Sequence, residues 1–166
     1  MARSIPVPPA FALVMLLLFA IHPAAPLFAE DDPVADLRRD SLASIAKTLK
    51  TKTDALIVDL LIDGQAKSVD LCEVDADKNL VYKAFGKKSQ IAYADLTASQ
   101  LAGILVALAN DEKPTAAADH LNAGLLYMLD SKSSESAAEI AKAVQLDDAL
   151  DAVAKTKMQA LPKPKA

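Results

Sequence analysis

The sequence predicts an α+β fold: an N-terminal helix, a four-stranded antiparallel meander, then a C-terminal bundle of about four helices. Two observations predict it. Apolar residues recur at helical spacing from Pro33 to about Lys50, alternate between Leu56 and Tyr93, and return to helical spacing from Thr97 to Leu161. Turn-forming residues divide the alternating stretch into four short runs, at Asp63-Gly64, Asp75 to Asn79, and Gly86-Lys87-Lys88.

Ahead of these elements the chain reads as an export signal. Arg3 supplies a positive charge, and Ala10 to Ile21 is an unbroken apolar run of 12 residues. Pro23 and Pro26 break that run, and Leu27-Phe28-Ala29 precedes the acidic Glu30-Asp31-Asp32. A short apolar core, a break and a small residue at the cut are the parts of a secretory signal. The run falls short of the ~20 residues that span a bilayer. The expected location is therefore periplasmic or extracellular, the alternative being an uncleaved signal that holds the chain at a membrane.

The first helix is expected within 30–53, with Asp32 as N-cap and Pro33 at the first helical position. Val34, Leu37, Leu42, Ile45 and Leu49 form its stripe. The meander is expected over 54–96. Leu56, Val58, Leu60 and Ile62 alternate, although residues 55–62 also suit a short helix capped by Gly64. Asp63-Gly64 is a hairpin turn, Val69 and Leu71 mark a second strand, and Leu80 to Phe85 a third. Ile91 and Tyr93 mark the fourth.

Helices are expected over 97–161. Thr97 and Gln100 fit a capping box, with Leu96 and Leu101 as the hydrophobic staple around it. The helix that follows is apolar all round, so it is expected to be buried between the sheet and the remaining helices. Pro114-Thr115 starts the next helix, with Leu121, Leu125 and Met128 on one face. Ala137, Ile140, Ala141 and Val144 mark another after a polar loop from Asp130 to Glu135, and Leu146, Leu150, Val153 and Leu161 a last one. Residues 162–166 read as a frayed tail.

Composition excludes several functions. The net charge is −4, and without Arg3 the balance is 17 Lys+Arg against 22 Asp+Glu. An acidic surface repels phosphate backbones, so no nucleic-acid partner is expected. Cys72 is the single cysteine, so no internal disulfide staples the chain. Asp75, Asp77 and Asn79 have the spacing of a calcium loop, but Leu80 and Gly86 stand where that loop needs glycine and glutamate. Cys72 and His120, the only thiol and imidazole beyond the export signal, fall on different elements with nothing to pair them, and one histidine there cannot build a His-rich metal site. Cys72 therefore reads as core or edge filler and His120 as a solvated helix residue. Asp111-Glu112 and Asp147-Asp148 suit helix starts, where negative charge favours the dipole. No catalytic residue, cofactor site or metal site is expected.

Residues 117–150 resemble a single tetratricopeptide repeat. The likeness rests on Ala123-Gly124 followed by Tyr127, then on Ser136, Ile140 and Ala143 of a second helix. The family's opening tryptophan is absent, and Asp147-Asp148 stands where Asp-Pro is usual. The resemblance implies a protein-interaction module. Residues 56–96 look like a small SH3-like or Sm-like barrel, on the Asp63-Gly64 turn, a longer second strand and Asp95-Leu96 after the fourth. The whole chain resembles uncharacterised exported bacterial proteins that join such a meander to a repeat-like hairpin, a likeness that brings no activity with it.

The expected function is thus a non-catalytic interaction or structural module with a protein partner and no membrane contact after signal cleavage. The alternative is a small ligand-binding or hydrolytic domain using the meander face near Tyr82 and Tyr93. A contact surface is expected at Leu126, flanked by Tyr127, because Leu125 to Leu129 holds more apolar residues in a row than one packed face uses; the repeat resemblance implies instead that Tyr127 packs inside the helical hairpin.

Overall fold

Asp32 opens the first helix as an N-cap should, its carboxylate accepting from the backbone N–H of Val34 at 2.9 Å and of Ala35 at 3.3 Å. The computed structural model describes residues 32–52, 54–109 and 115–163. The export signal with its Leu27-Phe28-Ala29 cut lies outside the described residues, as do Asp111-Glu112 and Pro114. Helix α1 spans Pro33–Thr51 and buries Leu37, Ile45 and Leu49 of the expected stripe.

The meander follows as four strands: β1 (Leu56–Ile62), β2 (Gln65–Val74), β3 (Asn79–Ala84) and β4 (Lys87–Ala92). Each pairs antiparallel with the next, in the order β1-β2-β3-β4. Residues 56–62 are strand, not helix, because Leu56, Val58 and Leu60 alternate into the core while Ile57, Asp59 and Leu61 face outward. The sheet is open, with β1 and β4 at its two edges, rather than closed into the barrel expected from the sequence. Four strands paired only with their sequence neighbours leave β1 and β4 unpaired with each other, and closure needs strand number, tilt and stagger to match.

Two hairpins use two-residue turns whose residues both have positive φ, Asp63 and Gly64 at 54° and 75°, and Phe85 and Gly86 at 51° and 77°. That is the geometry whose twist matches paired strands. The third turn is therefore Phe85-Gly86, and Lys87 and Lys88 belong to β4, two residues earlier than expected. Tyr93 lies beyond β4 in a short 3₁₀ turn, Tyr93–Asp95. It is clamped there, its hydroxyl donating to the Arg38 carbonyl while the Arg38 guanidinium donates to the carbonyls of Tyr93 and Leu96. The same guanidinium sits 5.3 Å from the centre of the Tyr93 ring.

The capping box forms as the sequence predicts. Thr97 N–H donates to Gln100 Oε1 at 2.9 Å, and Gln100 N–H to Thr97 Oγ1 at 3.2 Å, with Leu96 and Leu101 both buried. Helix α2 (Ala98–Ala109) packs between β1 and helix α3 (Ala116–Leu129). Helix α3 is in turn packed against α2, α1, α4 (Ser133–Leu146) and α5 (Leu150–Ala160). These elements belong to one compact unit.

The last two helices differ in phase from the sequence reading. In α4 the buried residues are Ser136, Glu139 and Ala143, with Ile140 packed beside them, while Ala137 and Ala141 are exposed. In α5 Ala154 is buried and Leu161 just after it, whereas Val153 is exposed, and Leu146, expected in this last helix, is the exposed final residue of α4. Small residues, Ser136 and Ala143 in α4 and Ala154 in α5, make part of both contacts, and small residues add little to an apolar stripe.

Candidate functional site

Helix α3 carries three of the seven buried polar side chains among the described residues, Asp119, His120 and Asn122, because neighbours pack against it on several sides. Asp119 and His120, adjacent in sequence, point about 100° apart and serve different neighbours. Ser44 Oγ of α1 donates to Asp119 Oδ1 at 2.5 Å. His120 Nδ1 lies 2.5 Å from Glu139 Oε2 on α4, and Lys142 Nζ reaches the other oxygen of Glu139 at 2.8 Å. Asp119, His120 and Glu139 are all buried. His120 is therefore not the solvated residue expected; the packing of α3 on several sides forces it to find a partner.

A serine, a histidine and acids in one layer raise the question of nucleophilic chemistry. That chemistry needs the hydroxyl within hydrogen-bond reach of the imidazole. Here Ser44 donates to a carboxylate, and the imidazole binds a second carboxylate on another face of α3. The imidazole therefore does not pair with the serine hydroxyl. The two pairs act instead as polar ties, fixing α3 to α1 and to α4.

Leu126, expected at the surface, is 0% exposed. A single apolar stripe would give α3 one packed face, but the helix has partners on several sides, so Leu126 is core. Tyr127 is half-buried, with the Lys132 ammonium 5.8 Å from its ring centre. Its partial burial, and Glu139 and Glu135 nearby, push its hydroxyl pKa upward.

The acidic turn uses its own carboxylate. Asp75 accepts from the backbone N–H of Asp77 and Asn79 and from Asn79 Nδ2, at 2.8–2.9 Å. Those bonds, the Asn79 ones foremost, hold its pKa below the usual carboxylate value. Among the described residues no group of three or more His, Cys, Asp or Glu side chains could hold a metal ion. Cys72 is half-buried at a β-bulge, where the β2–β3 register shifts between Leu71 and Glu73. Tyr82 and Tyr93 are both buried in the core, so the meander face near them is filled by side chains.

A cleft of about 260 Å³ lies between α1 and α5. Its polar lining is Asp36, Arg39, Asp40 and Lys157, with no thiol, hydroxyl or imidazole. Asp36 and Arg39 already pair with each other at 2.8 Å. What the described residues do offer is exposed apolar surface: Ile57 at 60% and Leu61 at 51% on the outward face of β1. Between them Asp59 accepts from Ser68 Oγ. Period-two spacing carries the signal for this face, but beside Leu56, Val58 and Leu60 the run LIVDLLI reads as apolar throughout.

The chain matches no family model, no curated protein and no solved structure. No helix among the described residues is long and apolar enough to cross a membrane.

Proposed function

We propose that the chain works outside the cytoplasm as a non-catalytic protein-binding module, and that its contact surface is the β1 edge of the sheet. The export half of the reading rests on Arg3, the Ala10–Ile21 run and the proline-broken segment ending at Ala29. The binding half rests on one observation. Ile57 and Leu61 stand exposed on one face of an edge strand, while Asp119, His120 and Glu139 are buried and paired inside the helical layer.

An extended partner segment added to β1 would gain main-chain hydrogen bonds along the edge and apolar contact with Ile57 and Leu61. Asp59 shapes the choice of partner. Two copies of β1 paired antiparallel about Asp59 would set two carboxylates opposite each other, which is unfavourable. A partner strand carrying lysine or arginine at that register gains instead. Gln100 Nε2 already donates to the Leu61 carbonyl at 3.2 Å, which anchors that end of the edge to α2.

The test is the double variant Ile57→Ser/Leu61→Ser. Both side chains are surface groups, so stability should change by less than about 0.5 kcal/mol per site, while capture of a protein partner from the native exporting cell is lost. Capture that survives in a folded double variant refutes the assignment to β1.

A further inference from the structure

The β3–β4 hairpin carries three features that the free fold does not need. Phe85 sits at φ 51°, in the left-handed region where a bulky side chain is strained. The β1–β2 hairpin makes the same turn with Asp63-Gly64, the favoured chemistry. Second, the Phe85 side chain is 98% exposed, so no packing offsets the strain. Third, Lys83 pairs directly with Lys88 behind the turn, and Ala84 with Lys87. Like charges set opposite each other destabilise a strand pair.

The charge is local. From Asn79 to Ala92 the hairpin holds three lysines and no acid, in a chain whose net charge is −4. Lys88 is within 3.6 Å of Glu73 on β2, and Lys83 is in register with Asp70, so part of this charge is balanced on the outward face. Lys87 falls on the other face, in register with Ala84. β4 is an edge strand, and Lys87, Lys88, Ser89 and Gln90 are all exposed, which leaves this corner of the sheet bare.

We infer that this hairpin tip docks on an anionic lipid surface, with Phe85 entering the headgroup layer and Lys83, Lys87 and Lys88 against the lipid phosphates. The two cross-strand pairs lie within ~7 Å of the tip at ~3.4 Å per residue. Interfacial apolar groups sit ~5–10 Å deep, so the ammonium groups reach phosphate level when the ring is inserted. A protein partner suits this tip less well. Protein interfaces build a core from clustered apolar side chains, and the neighbours of Phe85 are Ala84, Gly86 and lysines. A lone aromatic wedge needs no such platform in lipid. This contact departs from the sequence expectation of no membrane partner, and it stands apart from the β1 edge, which is the opposite side of the sheet.

The chain contains no tryptophan, so Phe85→Trp places a single indole at the tip and reports on that position alone, whatever the N-terminal apolar run does. The full chain is mixed with vesicles of phosphatidylcholine, alone or with phosphatidylglycerol. On the mixed vesicles only, the indole emission should shift to the blue and be quenched by brominated acyl chains. Lys83→Gln/Lys87→Gln/Lys88→Gln in the same background should abolish both effects. Phe85→Asn, which suits the turn, should melt about 2–4 °C higher than wild type and lose affinity for the anionic vesicles. An indole that keeps water-exposed emission on the mixed vesicles overturns the proposal. So does an equal shift on neutral vesicles, or a shift produced by soluble poly-glutamate and not by vesicles, which would assign the tip to an acidic protein. A lower melting temperature for Phe85→Asn overturns the strain premise.

Discussion

Alanine at Gly124 and alanine at Gly103 should move stability in opposite directions, and the structure gives the size of each effect. Both glycines lie inside helices, where alanine is intrinsically better by about 0.8–1 kcal/mol. At Gly103 in α2 an added Cβ meets nothing within 4 Å, so most of that gain should appear, about 0.5–1 kcal/mol. At Gly124 the same atom would stand 2.6 Å from Ile140 Cγ1, 3.0 Å from the Ser136 carbonyl oxygen and 3.1 Å from Ile140 N. Carbon contacts are optimal near ~3.5–4.0 Å, and two of the three neighbours are backbone that cannot rotate aside. Helix α4 must retreat, at an overpacking cost in the upper part of the ~1–3 kcal/mol range. The net expectation for Gly124→Ala is a loss of about 1–2 kcal/mol. Thermal and urea melts read both variants, at about 4 °C per kcal/mol for a domain this size. An Ile140→Ala background, which removes the nearest atom, should make the Gly124 substitution less costly. If Gly124→Ala is neutral or stabilising, α3 and α4 do not meet at this point and the packing argument fails.

Three further outcomes can be measured. His120→Ala should cost about 2–4 kcal/mol in urea titrations, because it leaves the buried Glu139 carboxylate with Lys142 alone and opens a cavity; Glu139→Gln, which still accepts from the imidazole, should cost less. Burial raises the Tyr93 hydroxyl to about 12, so its contribution is complete below its ordinary value of 10 and is lost as pH rises toward 12. Melting curves of wild type should fall across that alkaline window more steeply than those of Tyr93→Phe, which starts lower for want of the bond to Arg38. The carboxyl of Asp75 is depressed below 3.8, so its contribution is present above that value and lost as pH falls through the folded one. Asp75→Asn should flatten acid unfolding in that range, and equal acid profiles would show that the turn does not depend on the carboxylate.

Much of the fold was legible because its signals are local. The Asp32 cap, the Thr97–Gln100 capping box and the Asp63-Gly64 hairpin each depend on residues a few positions apart, and each forms as read. The misreadings share a different cause. A single stripe of Leu121, Leu125 and Met128 leaves Leu126 outside the packed face, and the burial of Leu126 and His120 is a property of α1, α2, α4 and α5 together. The turn at Phe85 was misplaced because phenylalanine is an unsuitable residue for positive φ, so the strand seemed to continue through it. Whether the sheet closes depends on strand number, tilt and stagger, which turn residues do not record. Of the surface features, Ile57 and Leu61 alternate correctly in sequence, but only the pairing of β1 on one side alone makes them an edge.

The binding account is tested most directly by photo-crosslinking from chosen positions of the intact protein in its exporting cell. A photoreactive side chain placed at Ile57 or Leu61 should crosslink to one distinct protein, and Asp59→Lys should abolish that product by reversing the charge between them. The same probe at Gln145, exposed on α4, should give no such product. No product from positions 57 and 61 in a protein of unchanged melting temperature, or the same product from all three positions, would contradict the account.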